Sequence, residues 1–229
     1  MTINGWDISE ACAKQVSVVF GFSAITAKSM WPAGSPSPIL IKPQTGTKSL
    51  RVILSVRDEG RTRIRDNVSL ILSKMVGILE IELDGFLNTF RGTLRSFASE
   101  ETSRKRWHKI TVDLEGYEHA AEKIFTGTAS VAVKNVGTAE TPVRIEVSSS
   151  VALGSMTITC TETGWGISLP GVASGSALVI DGETGLVTQN GALVEATFHR
   201  LPTVPPGVSH FASSNPGANL TVKISPRFM

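Results

Sequence analysis

The chain has 229 residues, of which 41% are hydrophobic, 18% charged and 6% aromatic, with a formal net charge of +2. That hydrophobicity with so small a net charge excludes a disordered chain, and two cysteines exclude a disulfide-stapled scaffold. The length fits one large or two ordinary domains, with enough chain to bury a core without metal or disulfide.

Charge is low against the roughly 25% usual in soluble domains, and Val, Ile, Leu, Ser, Thr and Gly fill its place. That mixture favours strands and tight turns. A weakly charged exterior also favours association. Met1-Thr2-Ile3-Asn4 has no basic start and no apolar stretch behind it, so no targeting segment is expected. The most apolar early run, residues 16–25, is interrupted by Ser17, Gly21 and Ser23 and is too short to cross a membrane. Cys12 and Cys160 are expected as two buried thiols, a disulfide between them being the other reading. Synthesis in a cytoplasm, without ordinary secretion, is the expectation.

Along the chain, residues 32–43 hold four prolines and read as a loop or arm rather than a strand. Residues 50–56 alternate, with Leu50, Val52, Leu54 and Val56 on one face. Val68, Ile71, Leu72 and Met75 break the period of two and define one short amphipathic helix. Asp66 or Asn67 is expected to cap its start and Gly77 to end it. Leu79, Ile81 and Leu83 alternate with Glu80, Glu82 and Asp84. Asp84-Gly85 reads as a two-residue hairpin turn that opposes Leu83, Ile81 and Leu79 to Phe86, Asn88 and Phe90. Clean alternation returns at Ile110, Val112 and Leu114, at Val143, Ile145 and Val147, at Met156, Ile158 and Cys160, and at Leu220, Val222 and Ile224. One dry and one wet face per strand is the pattern of antiparallel sheets.

Charge divides the chain. Residues 1–116 hold 16 Lys/Arg against 12 Asp/Glu, and residues 117–229 hold 6 against 8. The first half is thus +4 and the second −2. The second half is Ser/Thr/Gly-rich and strongly alternating, like a self-contained β-sandwich. The expected domains are 1–120 and 121–229.

Reactive chemistry is sparse. No serine lies in a Gly-x-Ser-x-Gly frame. Gly46-Thr47-Lys48-Ser49 lacks the Gly-Lys adjacency of a phosphate loop. His108, His119, His199 and His210 are not spaced as metal ligands. Glu80, Glu82 and Asp84 share a strand face rather than flanking a cleft. Arg104-Lys105-Arg106-Trp107-His108 and Arg57, Arg61, Arg63, Arg65 are basic runs, yet Glu100, Glu101, Asp58, Glu59 and Asp66 accompany them. Solvated or salt-bridged surface therefore accounts for them better than nucleic-acid binding. Trp165 is the second half's one tryptophan, which leaves a carbohydrate-binding adhesin module as the alternative function. The preferred reading is a protein that acts through contacts with other proteins, without catalytic residues, cofactor or metal.

Three motifs in order sharpen this. Asn135-x-Gly137-x-x-x-x-Pro142 precedes a strand. Asp181, ending an apolar run, precedes Asn190-Gly191. Pro205-Pro206-Gly207 precedes the alternating run at residues 220–224. Together they resemble siphophage distal tail proteins over roughly residues 124–229, with a weaker likeness upstream. Asn135, Gly137, Pro142, Asp181, Asn190, Gly191, Pro206 and Gly207 read as fold determinants. Gly137 and Gly191 offer positive φ, Pro142 opens a strand, and Asp181 bonds the turn behind it. The resemblance implies a mainly β fold: an N-terminal split β-barrel, tail-tube-like, with one short helix, then a C-terminal galectin-like β-sandwich. It further implies a homo-hexameric ring in the virion tail tip, joining the tail tube protein to the tail hub and carrying receptor-binding or fibre proteins. Neither membrane nor specific nucleic-acid binding is implied.

Overall fold

The computed structural model describes residues 1–23, 25–30, 36–37, 39–102, 106–198 and 200–229. The chain separates into two compact units, Met1–His119 and Ala120–Phe228.

In the first unit, β1 (Thr2–Ile3), β2 (Trp6–Asp7) and a short 3-10 helix (Ile8–Ala11) precede β3 (Ala13–Gly21). Next come β4 (Ile25–Met30), β5 (Ile39–Thr45), β6 (Lys48–Arg57), α1 (Arg61–Ser73), β7 (Leu79–Glu82), β8 (Thr89–Glu101) and β9 (Trp107–His119). The principal sheet runs β2-β1-β7-β8-β9-β6-β3, antiparallel throughout. It ends at β2 on one side and β3 on the other, so among the described residues it is an open, split structure and not a closed barrel. Alternation sets its dry face: Leu50, Val52, Leu54 and Val56 on β6 face the same core as Ile110, Val112 and Leu114 on β9. Ile64 and Ile71 of α1 belong to that core.

The helix begins earlier than its sequence suggests. Gly60 is the N-cap, and Asp66 and Asn67 lie inside the helix. Ile64 extends the buried stripe one turn upstream, giving Ile64, Val68, Ile71 and Met75, while Leu72 is exposed. Asp58 organises the approach, accepting from Glu59 N at 2.6 Å and Asn67 Nδ2 at 3.1 Å. Gly77 has φ +83° but lies beyond the helix.

The expected hairpin register is displaced by two residues. Ile81 pairs with Phe90 and Leu79 with Gly92, leaving residues 83–88 as the connection. Asn88 therefore escapes the apolar face and donates from Nδ2 to Glu118 Oε1 at 2.7 Å. The proline-rich stretch differs too. Residues 39–45 form β5 and pair with β4 in a separate two-stranded sheet. The register shifts between Thr26 and Lys28, opposite Lys42 and Pro43, and a bulge is where a residue lacking an N–H is tolerated. Of the other prolines in that stretch, Pro32 and Pro38 lie outside the described residues, whereas Pro36 is described and exposed, as is Ser37. Cys12 is exposed rather than buried, at φ +51° where the 3-10 helix ends; Cys160 is buried, and both are free thiols.

The second unit is a β-sandwich. Its strands are β10 (Lys123–Thr128), β11 (Ser130–Asn135), β12 (Thr141–Ser148), β13 (Met156–Cys160), β14 (Trp165–Leu169) and β15 (Ala177–Asp181). The rest are β16 (Val187–Gln189), β17 (Ala192–Leu193), β18 (Thr197–Phe198), β19 (Thr203–Val204), β20 (Gly207–Ser213), β21 (Asn219–Ile224) and the two-residue β22 (Arg227–Phe228). One sheet runs β10-β21-β12-β15-β16-β17 and the other β11-β20-β13-β14-β18. Val143, Ile145 and Val147 from the first sheet meet Ile158, Trp165 and Phe211 from the second in one core. This is the two-layer solution that alternating strands demand.

Candidate functional site

The motif residues are built into the sandwich at two places. Six of the eight gather at one end. Asn135 closes β11, opposite Gly207 at the start of β20. It is 2% exposed, and its side chain is fully engaged. Nδ2 lies within donating distance of the Ala139 carbonyl (3.1 Å), the Val204 carbonyl (3.1 Å) and Thr141 Oγ1 (3.2 Å), and Oδ1 accepts from Gly137 N at 2.9 Å. Gly137 does not take the positive φ expected of it; its need for glycine is steric, because an added Cβ would lie 2.3 Å from the Arg227 carbonyl oxygen. Pro142, second in β12, pairs with Thr203. Asp181 ends β15 opposite Arg144. Its Oδ1 accepts from Glu183 N (2.8 Å) and Thr184 N (3.3 Å), as its position before a turn suggests. Pro206 is exposed, and Gly207 takes φ +108° as β20 begins.

Asn190 and Gly191 lie at the opposite end, between β16 and β17, with φ +50° and +82°. Two successive positive φ values are the signature of a type I′ hairpin turn, which Asn-Gly favours. None of the eight presents a reactive group to a cleft.

Other polar groups are similarly committed to structure. Lys48 is buried; its Nζ meets Glu118 Oε2 at 2.6 Å and sits 5.2 Å from the Phe20 ring centre. Burial pushes the Glu118 carboxyl up, but bonds from Lys48 and Asn88 overcome this and hold it below its ordinary value. Glu80 meets His119 Nε2 at 3.0 Å and Arg91 at 3.3 Å, and Asp84 accepts from the Met1 amine. Arg61 pairs with Glu101 at 3.1 Å, and Arg57 stacks over Trp107. Arg104, Lys105 and His199 lie outside the described residues. Among the described residues no group of three His, Cys, Asp or Glu side chains is arranged to hold a metal, and no helix is long and apolar enough to cross a membrane.

Trp165 is core, not platform. It is 2% exposed, packs edge-on against Phe211, and donates from Nε1 to the Arg200 carbonyl at 2.9 Å. It offers no exposed ring to a sugar. A grouping that sequence spacing did not reveal joins residues 48 apart. Glu162 accepts from His210 N at 2.7 Å and pairs with His210 Nδ1 at 2.5 Å, and the Cys160 thiol donates to it at 3.7 Å. The His210 side-chain bond, then its backbone N–H, pull the Glu162 carboxyl down to about 2. The thiol points at the carboxylate, not at the imidazole, so the trio is not a nucleophile–base pair.

No family model matches the chain, and no curated protein sequence matches it. Solved structures do. The Dit (gp 19.1) protein of phage SPP1 superposes with a TM-score of 0.76 at 15% identity, over 99% of this chain and 98% of that one. The chain has the distal tail protein fold. Chains of the phage P2 baseplate, in its activated conformation with Ca and with Sr, align at 12% identity over 95% of this chain and 92% of theirs, with a TM-score of 0.46. The SPP1 protein is described as a paradigm of the hub adsorption apparatus in phages infecting Gram-positive bacteria. The distal tail fold thus spans both units, including the first, where sequence motifs were weakest.

Proposed function

We propose that this protein is a structural component of a bacteriophage tail tip. It forms a hexameric ring that joins the tail tube to the tail hub and offers a platform to receptor-binding or fibre proteins. The observation that carries this reading is the agreement in fold along essentially the whole of both chains, 99% and 98%. A shared module would leave one unit unmatched. Two features support it. The motif residues serve turns and clamps rather than a reaction, and the low charge suits a surface that is covered in an assembly. The carbohydrate-binding alternative has lost its anchor, since Trp165 is interior.

The test is location. The protein carrying a small epitope tag after Met229 is produced during phage growth, and purified virions are labelled with gold. Label confined to the tip of the tail, with tail-less or tip-less particles when the gene is removed, is the expected result. Normal, infectious tails without the protein overturn the proposal.

A further inference from the structure

In the first unit an amine, a carboxylate and a carboxamide meet that lie far apart in sequence. Lys48, at the start of β6, donates from Nζ to Glu118 Oε2 at 2.6 Å. Asn88, just before β8, donates from Nδ2 to Glu118 Oε1 at 2.7 Å. Glu118 is on β9, which lies between β6 and β8. One carboxylate therefore holds the amine on one oxygen and the carboxamide on the other. Lys48 continues the inward series Leu50, Val52, Leu54 and Val56 and is only 6% exposed. Its cross-strand partner is Gly116, so no side chain on β9 stands opposite it.

A second route brings the 83–88 connection to Lys48. Phe86 packs edge-on against Phe20 with ring centres 5.2 Å apart, and Lys48 Nζ sits 5.2 Å from the centre of that same Phe20 ring. Gln15 fastens the connection further back, donating to the Asp84 carbonyl and accepting from Asp84 N, both at 3.0 Å. Asn88 is thus held beside the amine rather than swinging in solvent. A lysine becomes a nucleophile where a base lies within hydrogen-bond reach and water is scarce. Although burial opposes the charge, the bonds from Lys48 and Asn88 keep Glu118 a carboxylate, ready to take a proton. Moving that proton from Lys48 to Glu118 leaves two neutral groups, the forms that burial favours.

We propose that Lys48 and Asn88 become joined by an isopeptide bond, which the folded chain forms on itself with Glu118 as the catalytic residue. Glu118 takes a proton from the Lys48 ammonium, and the freed amine forms a bond from Nζ to Asn88 Cγ. The Cγ–Nδ2 bond breaks as Glu118 passes protons from Nζ to Nδ2. Nζ loses two protons in all, and both leave with Nδ2. An ammonium group and a carboxamide thus give one secondary amide and one ammonium ion. No oxidant, reductant or water enters, and Glu118 ends as it began. The bond ties β6 to the 83–88 connection and closes the chain between them, constraining the unfolded state as a disulfide does. It does not depend on the tail-tip reading.

The test is the mass of the full chain, purified folded, incubated, then denatured, weighed and digested. The expected result is a chain lighter than its sequence by one ammonia, with a branched peptide joining the segment that holds Lys48 to the segment that holds Asn88. Glu118→Gln, which keeps the size of the side chain, and Asn88→Ala should both retain the full mass and release the two segments separately. Wild type at full mass, with Lys48 and Asn88 recovered in separate peptides, overturns the proposal without recourse to any variant. Loss of ammonia without a branched peptide, as cyclisation at Asn190-Gly191 would give, overturns it equally. A branched peptide that persists undiminished in Glu118→Gln overturns the role given to the carboxylate.

Discussion

Gly137 lies against the main chain of Arg227, so close that a Cβ at position 137 would stand 2.3 Å from the Arg227 carbonyl oxygen and 2.9 Å from its nitrogen. That carbonyl also accepts from Thr138 N at 3.0 Å and Ala139 N at 3.1 Å. The 135–141 loop therefore straps the last residues of the sandwich, and the strap has no room for a methyl group. Gly137→Ala is expected to lower stability by about 2–4 kcal/mol, as backbone collisions in a fixed loop do. Gly154→Ala, where a Cβ meets nothing within 4 Å, is the control and should stay within about 0.5 kcal/mol. Urea denaturation of both variants decides it; equal midpoints would show that the loop yields freely.

Asn135 makes the same strap from within. Its amide is buried among Gly137, Ala139, Thr141 and Val204. Removing it leaves at least one buried carbonyl and one buried N–H without partners, at about 1–3 kcal/mol for each group. Asn135→Ala should thus cost about 3 kcal/mol. Asn135→Asp retains the acceptor for Gly137 N but not the donor, and should recover only part of the loss. A full recovery by aspartate would mean that the donor bonds contribute nothing.

What could be read in advance follows from range. The dry faces of β6, β9, β12, β13 and β21 came from period-two alternation, a local signal that burial enforces residue by residue. Asp181 and Asn190-Gly191 were likewise local, since each turn is set by its own side chain or φ values. Failures came where a distant partner decides. Gly137 owes its identity to Arg227, far along the chain. The 83–88 connection is longer than Asp84-Gly85 requires because Ile81 pairs with Phe90. α1 starts early because Ile64 has a core to enter. The Glu162–His210 pair joins residues distant in sequence, and spacing carries no trace of it. Of the site, the motif positions were legible, but their grouping of six at one end and two at the other was not.

The Asn190-Gly191 turn tests local reading directly. Both residues hold positive φ, at +50° and +82°. Asparagine tolerates that region, and glycine enters it without penalty. Gly191→Ala should cost about 1 kcal/mol, and Asn190→Gly should be nearly neutral. Since nothing lies within 4 Å of a Cβ at 191, any loss is conformational rather than steric. A neutral Gly191→Ala would show that the turn relaxes to another type.

The Glu162 carboxyl gives the sandwich an acid sensitivity. Its folded value of about 2 lies below its ordinary 4.5, chiefly through the His210 side-chain bond. For a depressed carboxyl the linked stabilisation is present in full above the unfolded value and drains as pH falls towards the folded one. The window is therefore pH 4.5 down to about 2, with no contribution to the slope near neutrality. Glu162→Gln removes the titrating group, so its urea midpoint should fall less steeply than wild type across that window. Asp113, held down first by the Arg51 bond and then by Ser96, and Asp7, held down by Ser9, titrate in the first unit and remain in both proteins. Unfolding should be followed by the fluorescence of Trp165, which lies in the same core as Phe211, with Trp6, Trp31 and Trp107 replaced by phenylalanine in both proteins. Parallel decline of the two midpoints from about pH 5 to about pH 2.5 would mean that the His210 contact does not survive in solution.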